Sequence, residues 1–141
     1  KLSQFFEEKK ENFKSLIDQQ VEENKLKLNS HIQVLTPKDD DQQFAKNFFV
    51  EMGFKHVEYD TVGASLNIGS VPDLVFINDE ECKVDEVTIK KYIDELPREV
   101  VFFYFGKGKI DLRHDRLAYA NSRLQVYGNL MNALTYQSLL D

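Results

Sequence analysis

The chain has 141 residues, 42% hydrophobic and 30% charged, enough for one core around one sheet and too short for two ordinary domains. Its longest run of consecutive apolar residues, 100–105, is far shorter than the roughly 20 residues a membrane span needs, no apolar signal core opens the sequence, and a single cysteine, Cys82, allows neither an internal disulfide nor a zinc cluster. A formal charge of -6 excludes a surface coated uniformly for nucleic acid, since phosphate neutralisation rests on Lys and Arg.

Residues 1–28 lack Gly and Pro, and Phe6, Phe13, Ile17, Val21 and Leu28 recur near helical spacing, which predicts a long amphipathic helix. Residues 30–37 read as a short strand or a helix end, closed by Thr36 and Pro37. Acids at 39–41 then open a second helix over about 40–52. Phe44, Phe48 and Phe49 form its buried face, and Gly53 is placed to terminate it with a positive φ. Residues 54–60 are a plausible strand, followed by a small-residue loop holding Gly63, Ser65, Asn67, Gly69 and Ser70.

The β-branched and aromatic run 71–77, with Pro72 at its opening, predicts a strand. Asn78 and Asp79 read as a turn, and residues 80–84 as the returning strand of a hairpin. Asp85 and Glu86 open a helix carrying Val87, Ile89, Tyr92, Ile93 and Leu96 toward the sheet, and Pro97 stops it. The six apolar residues 100–105 predict a central strand buried on both faces and parallel to its predecessor. Residues 109–113 are a candidate edge strand, and 115–140 one or two helices interrupted near Gly128. The expectation is a single α/β (α+β) domain over 1–141: an N-terminal helix over 1–30, an αβββαβ core over 40–105 around a mixed sheet, and C-terminal helices over 113–141.

Charge is unevenly spread. All four arginines, Arg98, Arg113, Arg116 and Arg123, fall in one stretch with Lys107 and Lys109, against Glu99, Asp111 and Asp115. That local excess of positive charge reads either as a solvated surface or as an edge that faces a phosphate backbone.

Alternate side chains of a strand share a face, so Glu81 and Lys83 point one way and Cys82 the other, as a small core residue. With Asp73 across the hairpin, two carboxylates and an ammonium would converge. Carboxylates that hold Mg²⁺ lower the pKa of a bound water and neutralise a scissile phosphate, while a lysine assists the nucleophile. Taken alone, Glu81 and Lys83 also read as an ion pair on a solvated face.

Pro72-Asp73 followed by Glu81-Cys82-Lys83 resembles the PD-(D/E)xK motif of the restriction-endonuclease-like nuclease superfamily, whose core order is also αβββαβ. The resemblance implies a Mg²⁺-dependent (or Mn²⁺-dependent) deoxyribonuclease acting on double-stranded DNA. Asp73, Glu81 and the helix-end Glu51 would hold the metal, and Lys83 would assist the water, with Glu86 as the reserve catalytic carboxylate. A flexible serine-bearing loop of some members corresponds to Ser65 or Ser70. DNA would then meet Arg98, Lys107, Lys109, Arg113, Arg116, Arg123 and Ser65. Cutting two strands favours a homodimer, and the expected compartment is intracellular: the cytoplasm, or a host's cytoplasm for a viral chain. The helix after the lysine offers Lys90, Lys91 and Tyr92 without Gln, a departure from the superfamily's exonuclease branch. The alternative reading is a non-catalytic interaction or structural domain on the same fold.

Overall fold

The computed structural model describes residues 2–37, 43–63, 71–107 and 117–140. In chain order they form α1 (Leu2–Glu22), β1 (His31–Thr36), α2 (Gln43–Glu51), β2 (His56–Thr61), β3 (Leu74–Asn78), α3 (Glu86–Glu95), β4 (Val101–Phe105), β5 (Leu117–Ala120) and α4 (Arg123–Leu140). The expected α/β class is the one observed. Its five strands lie in the order β2-β1-β3-β4-β5, and every neighbouring pair is parallel, where a mixed sheet was expected.

A parallel sheet covered on both faces needs apolar side chains at successive positions. β3 and β4 supply them, with every residue of LVFIN and VFFYF buried. The edge strand β2, HVEYDT, alternates between exposed and half-buried positions. On one face Ile32, Val34, Leu74, Phe76, Phe103 and Phe105 pack with Phe13 and Ile17 of α1, Phe48 and Phe49 of α2, and Val126 and Leu130 of α4. On the other face Leu35, Val75, Ile77, Phe102 and Tyr104 pack with Ile89, Tyr92 and Ile93 of α3. Fixing ladders of this kind costs roughly 1–2 kcal/mol of backbone entropy per residue, which the burial of both faces must offset.

Both predicted helix stops near the first two strands have identifiable causes. α2 ends as expected: Gly53 takes φ +101, a conformation without steric cost only for glycine, and the Phe54 amide closes on the Phe49 carbonyl. α1 ends at Glu22, six residues earlier than its predicted end, where Asn24 turns to φ 61.

The largest correction concerns residues 80–84, which form no strand and no hairpin. Asp79 is fully buried and its carboxylate accepts the amides of Lys83 at 2.7 Å and Val84 at 2.8 Å. Those donors are thereby taken from any ladder, and the chain coils directly into α3. Cys82 lies in this loop at φ 57 and is exposed, not a core residue. The strand counted in its place is β1, which lies between β2 and β3. Over residues 40–105 the described order is α2-β2-β3-α3-β4, so the expected αβββαβ core is one strand short there.

At the C-terminal end, residues 117–120 are strand where helix was expected, because β4 offers an unpaired edge in register with them. α4 runs through Gly128 without a break, and a Cβ at that position would meet nothing within 4 Å. The candidate edge strand over 109–113 lies outside the described residues. None of the described helices is long and apolar enough to cross a membrane.

Candidate functional site

The chain passes from β1 through α2 to β2 on one side, then returns to place β3 on the other side of β1. Open parallel sheets take ligands outside the carboxyl ends of the strands at such a reversal. Here that position is the end of β1 and of β3, followed by the loop over residues 79–85.

Asn78, the last residue of β3, shares the face of Leu74 and Phe76 by strand alternation. It is 4% exposed, and its side-chain carbonyl oxygen has no hydrogen-bond partner among the described residues. An unsatisfied buried acceptor costs about 1–3 kcal/mol.

Asp79 builds the loop. Besides the two amides, it accepts the Tyr104 hydroxyl at 2.7 Å. Burial first, and the neighbouring carboxylate second, push that phenol far above its usual range, so it remains a neutral donor. Gly106, just past β4, comes so close that a Cβ there would lie 2.6 Å from the Tyr104 hydroxyl and 2.8 Å from the Asp79 carbonyl. Only a residue without a side chain fits.

Glu80 gathers the cations. The Arg123 guanidinium donates to both of its carboxylate oxygens, each at 2.8 Å, and the Lys107 ammonium lies 3.6 Å away. The Arg123 bond is the chief reason the Glu80 carboxyl is held below the usual range, against the opposing effect of partial burial. Arg123 opens α4, whose N-terminus is capped within the chain by Ser122 accepting the Gln125 amide and Gln125 accepting the Asn121 amide.

Arg123 also lines a cavity of about 230 Å³ between α1, α2 and α4. Its aromatic wall is Phe6, Phe48 and Tyr127, and Asn47 contributes an amide. Lys10 of α1 forms an ion pair with Glu51 of α2, and this bond, above the smaller opposing cost of burial, raises the Lys10 pKa. Burial raises the Tyr127 hydroxyl as well.

The residues singled out from sequence are dispersed. Asp73 sits before β3, at the amino edge of the sheet, where it accepts the His31 amide at 2.7 Å. Glu81 and Lys83 are exposed in the loop at the carboxyl edge, so the length of β3, roughly 16 Å at about 3.3 Å per residue, separates them from Asp73. Glu86 is the exposed first residue of α3, and Glu51 faces the cavity under α1. Among the described residues no three His, Cys, Asp or Glu side chains are grouped to hold a metal ion, so Asp73, Glu81 and Glu51 do not fit the Mg²⁺ or Mn²⁺ expected of them. Arg98 lies in the turn before β4, at the opposite edge from Lys107 and Arg123. Ser65, Lys109, Arg113 and Arg116 lie outside the described residues. The sequence reading missed Asn78, Asp79, Glu80 and the Lys10 side of the cavity. The available signal was the apolar run ending at Asn78, because a parallel strand delivers its polar residues at its carboxyl end.

A five-stranded parallel sheet with helices on both faces, reversing between β1 and β3 and carrying its polar cluster at the carboxyl edge, defines a Rossmann-like α/β domain. Residues 29–139 match the model of the Nucleotidyltransferase-Associated Rossmannoid Fold family, and the chain belongs to that family. This is a Rossmannoid family, not the nuclease superfamily that residues 72–83 resemble. Searches of curated proteins and of solved structures find no match.

Proposed function

We propose that this domain serves a nucleotidyltransferase as a recognition partner, binding a nucleotide at the carboxyl edge of its sheet without breaking a covalent bond in it. The family's description associates the fold with nucleotidyltransferases. Fold alone does not assign a function. The observation that carries the reading is the Asn78 carbonyl at the strand reversal, which has no hydrogen-bond partner among the described residues. A buried acceptor retained at that cost is explained if a ligand supplies its donor. The DNA-hydrolysis expectation rested on a hairpin that residues 80–84 do not form, and the described residues bring no metal-binding carboxylates together.

The test is a thermal-unfolding series on the purified chain with each common nucleoside mono- and triphosphate. A ligand that binds only the folded state raises Tm in proportion to occupancy. At least one nucleotide should do so, and Asn78→Leu should remove that shift while leaving the free protein as stable as wild type or more so. If no nucleotide moves Tm, the proposal fails. Mg²⁺-dependent cleavage of duplex DNA by wild type, absent in Glu81→Ala, would restore the nuclease reading in its place.

A further inference from the structure

We infer that the cavity between α1, α2 and α4 takes a nucleoside monophosphate, with the base against Phe6, Phe48 and Tyr127 and the phosphate toward Arg123; this goes beyond the carboxyl-edge reading above, because Asn78 does not line the cavity and only Arg123 joins the two places. Three observations converge on that occupant.

The first is aromatic. Phe48 and Tyr127 line the cavity 5.7 Å apart, each backed by the buried Phe13 ring at 5.5 Å, and Phe6 lines the same space from α1. Flat π-systems stack on such surfaces whatever their edge pattern, and Asn47 beside them presents both a donor and an acceptor to a base edge.

The second is size. At about 230 Å³ the cavity is smaller than the roughly 300–1,000 Å³ of pockets that enclose drug-sized ligands. A base with its sugar matches that space, and a dinucleotide exceeds it.

The third is charge. Lys10 and Arg123 are balanced by Glu7 and Glu51 on the same walls, and each cation already meets a carboxylate, Glu51 and Glu80 respectively. A monophosphate brings roughly two negative charges to this charge-balanced lining and can meet Arg123 at the mouth, whereas a triphosphate brings more and would set them against Glu7 and Glu51. Arg123 ties this cavity to the carboxyl edge, since the same side chain lines the one and holds Glu80 at the other.

The experiment is calorimetric titration of the whole chain with AMP, GMP, ATP and ribose 5-phosphate. Wild type should bind a monophosphate saturably, more tightly than ATP, and ribose 5-phosphate should bind far more weakly for want of a base. Phe6→Ala, which changes a partly exposed side chain, should weaken the monophosphate about tenfold, and Asn47→Ala several-fold, with unfolding curves like wild type. If the monophosphate binds these variants as it binds wild type, or if ATP binds more tightly than either monophosphate, the cavity is not the site, although a nucleotide-recognition domain remains. If no nucleotide binds at all, the broader reading falls as well.

Discussion

The two ends of β3 each carry an aspartate, and the two do different work. Asp73, at the amino end, is half-buried: its carboxylate accepts the His31 amide, its own amide donates to the His31 carbonyl, and its carbonyl accepts the Val101 amide. It ties the starts of three adjacent strands together. Asp79, at the carboxyl end, is wholly buried, and its carboxylate organises a loop by accepting two amides and a phenol. The amino end is thus a seam in the sheet, and the carboxyl end a shaped edge next to the ion cluster of Glu80, Arg123 and Lys107. An aspartate after a proline looks like chemistry in the sequence, yet here it is the aspartate inside a supposed turn that shapes the candidate site.

The sharpest way to break this comparison is to remove both carboxylates in turn. Asp79→Ala leaves a buried phenol and two amides without an acceptor and should cost on the order of 4 kcal/mol, whereas Asp73→Ala should cost about 1–2 kcal/mol. Urea unfolding of the two variants decides it, and equal losses would mean that the carboxyl end is no more constrained than the amino end. Gly106→Ala comes next. Its Cβ would clash with both the Tyr104 ring and the Asp79 carbonyl, and the expected loss is about 1–3 kcal/mol by the same measurement.

Glu80→Gln sharpens the picture through pH. The folded-state pKa of Glu80 is depressed, so its contribution is present above the ordinary glutamate range and is lost as pH falls through the lower folded value. Wild type should therefore be more stable than Glu80→Gln at neutral pH, and the gap should close in acid. A gap that is constant with pH would show that Arg123 contributes nothing through charge. The smallest effect belongs to Cys82→Gly, which relieves a left-handed residue at φ 57 and should raise stability by roughly 0.5 kcal/mol.

Much of the fold was legible because parallel strands leave an uninterrupted apolar signature. The runs that became β3 and β4 could be read directly, as could the helix stop at Gly53 and the acidic start of α3, where Asp85 caps the Thr88 amide at 2.8 Å. Residues 80–84 misled because their alternation fits a strand, while the competing acceptor, Asp79, announces itself only once it is buried. β5 was missed because Leu117, Ala118, Tyr119 and Ala120 fit a helix equally well, and pairing with β4 decides between the two. For the site, Arg123, Lys107 and Glu51 were singled out from sequence, but their partners Glu80 and Lys10 were not. Those contacts join residues distant along the chain, and no local pattern encodes them.

The helix α1 lies outside the 29–139 span that matches the family. Its second half is anchored in the core by Phe13 and Ile17, while its first half leans over the cavity with Phe6, Glu7 and Lys10. One wall of the cavity therefore lies within the matched span, and the opposite wall lies outside it. Side chains on the first half of α1 can change the shape and charge of the cavity, while the second half, with Phe13 and Ile17, keeps the helix in the core.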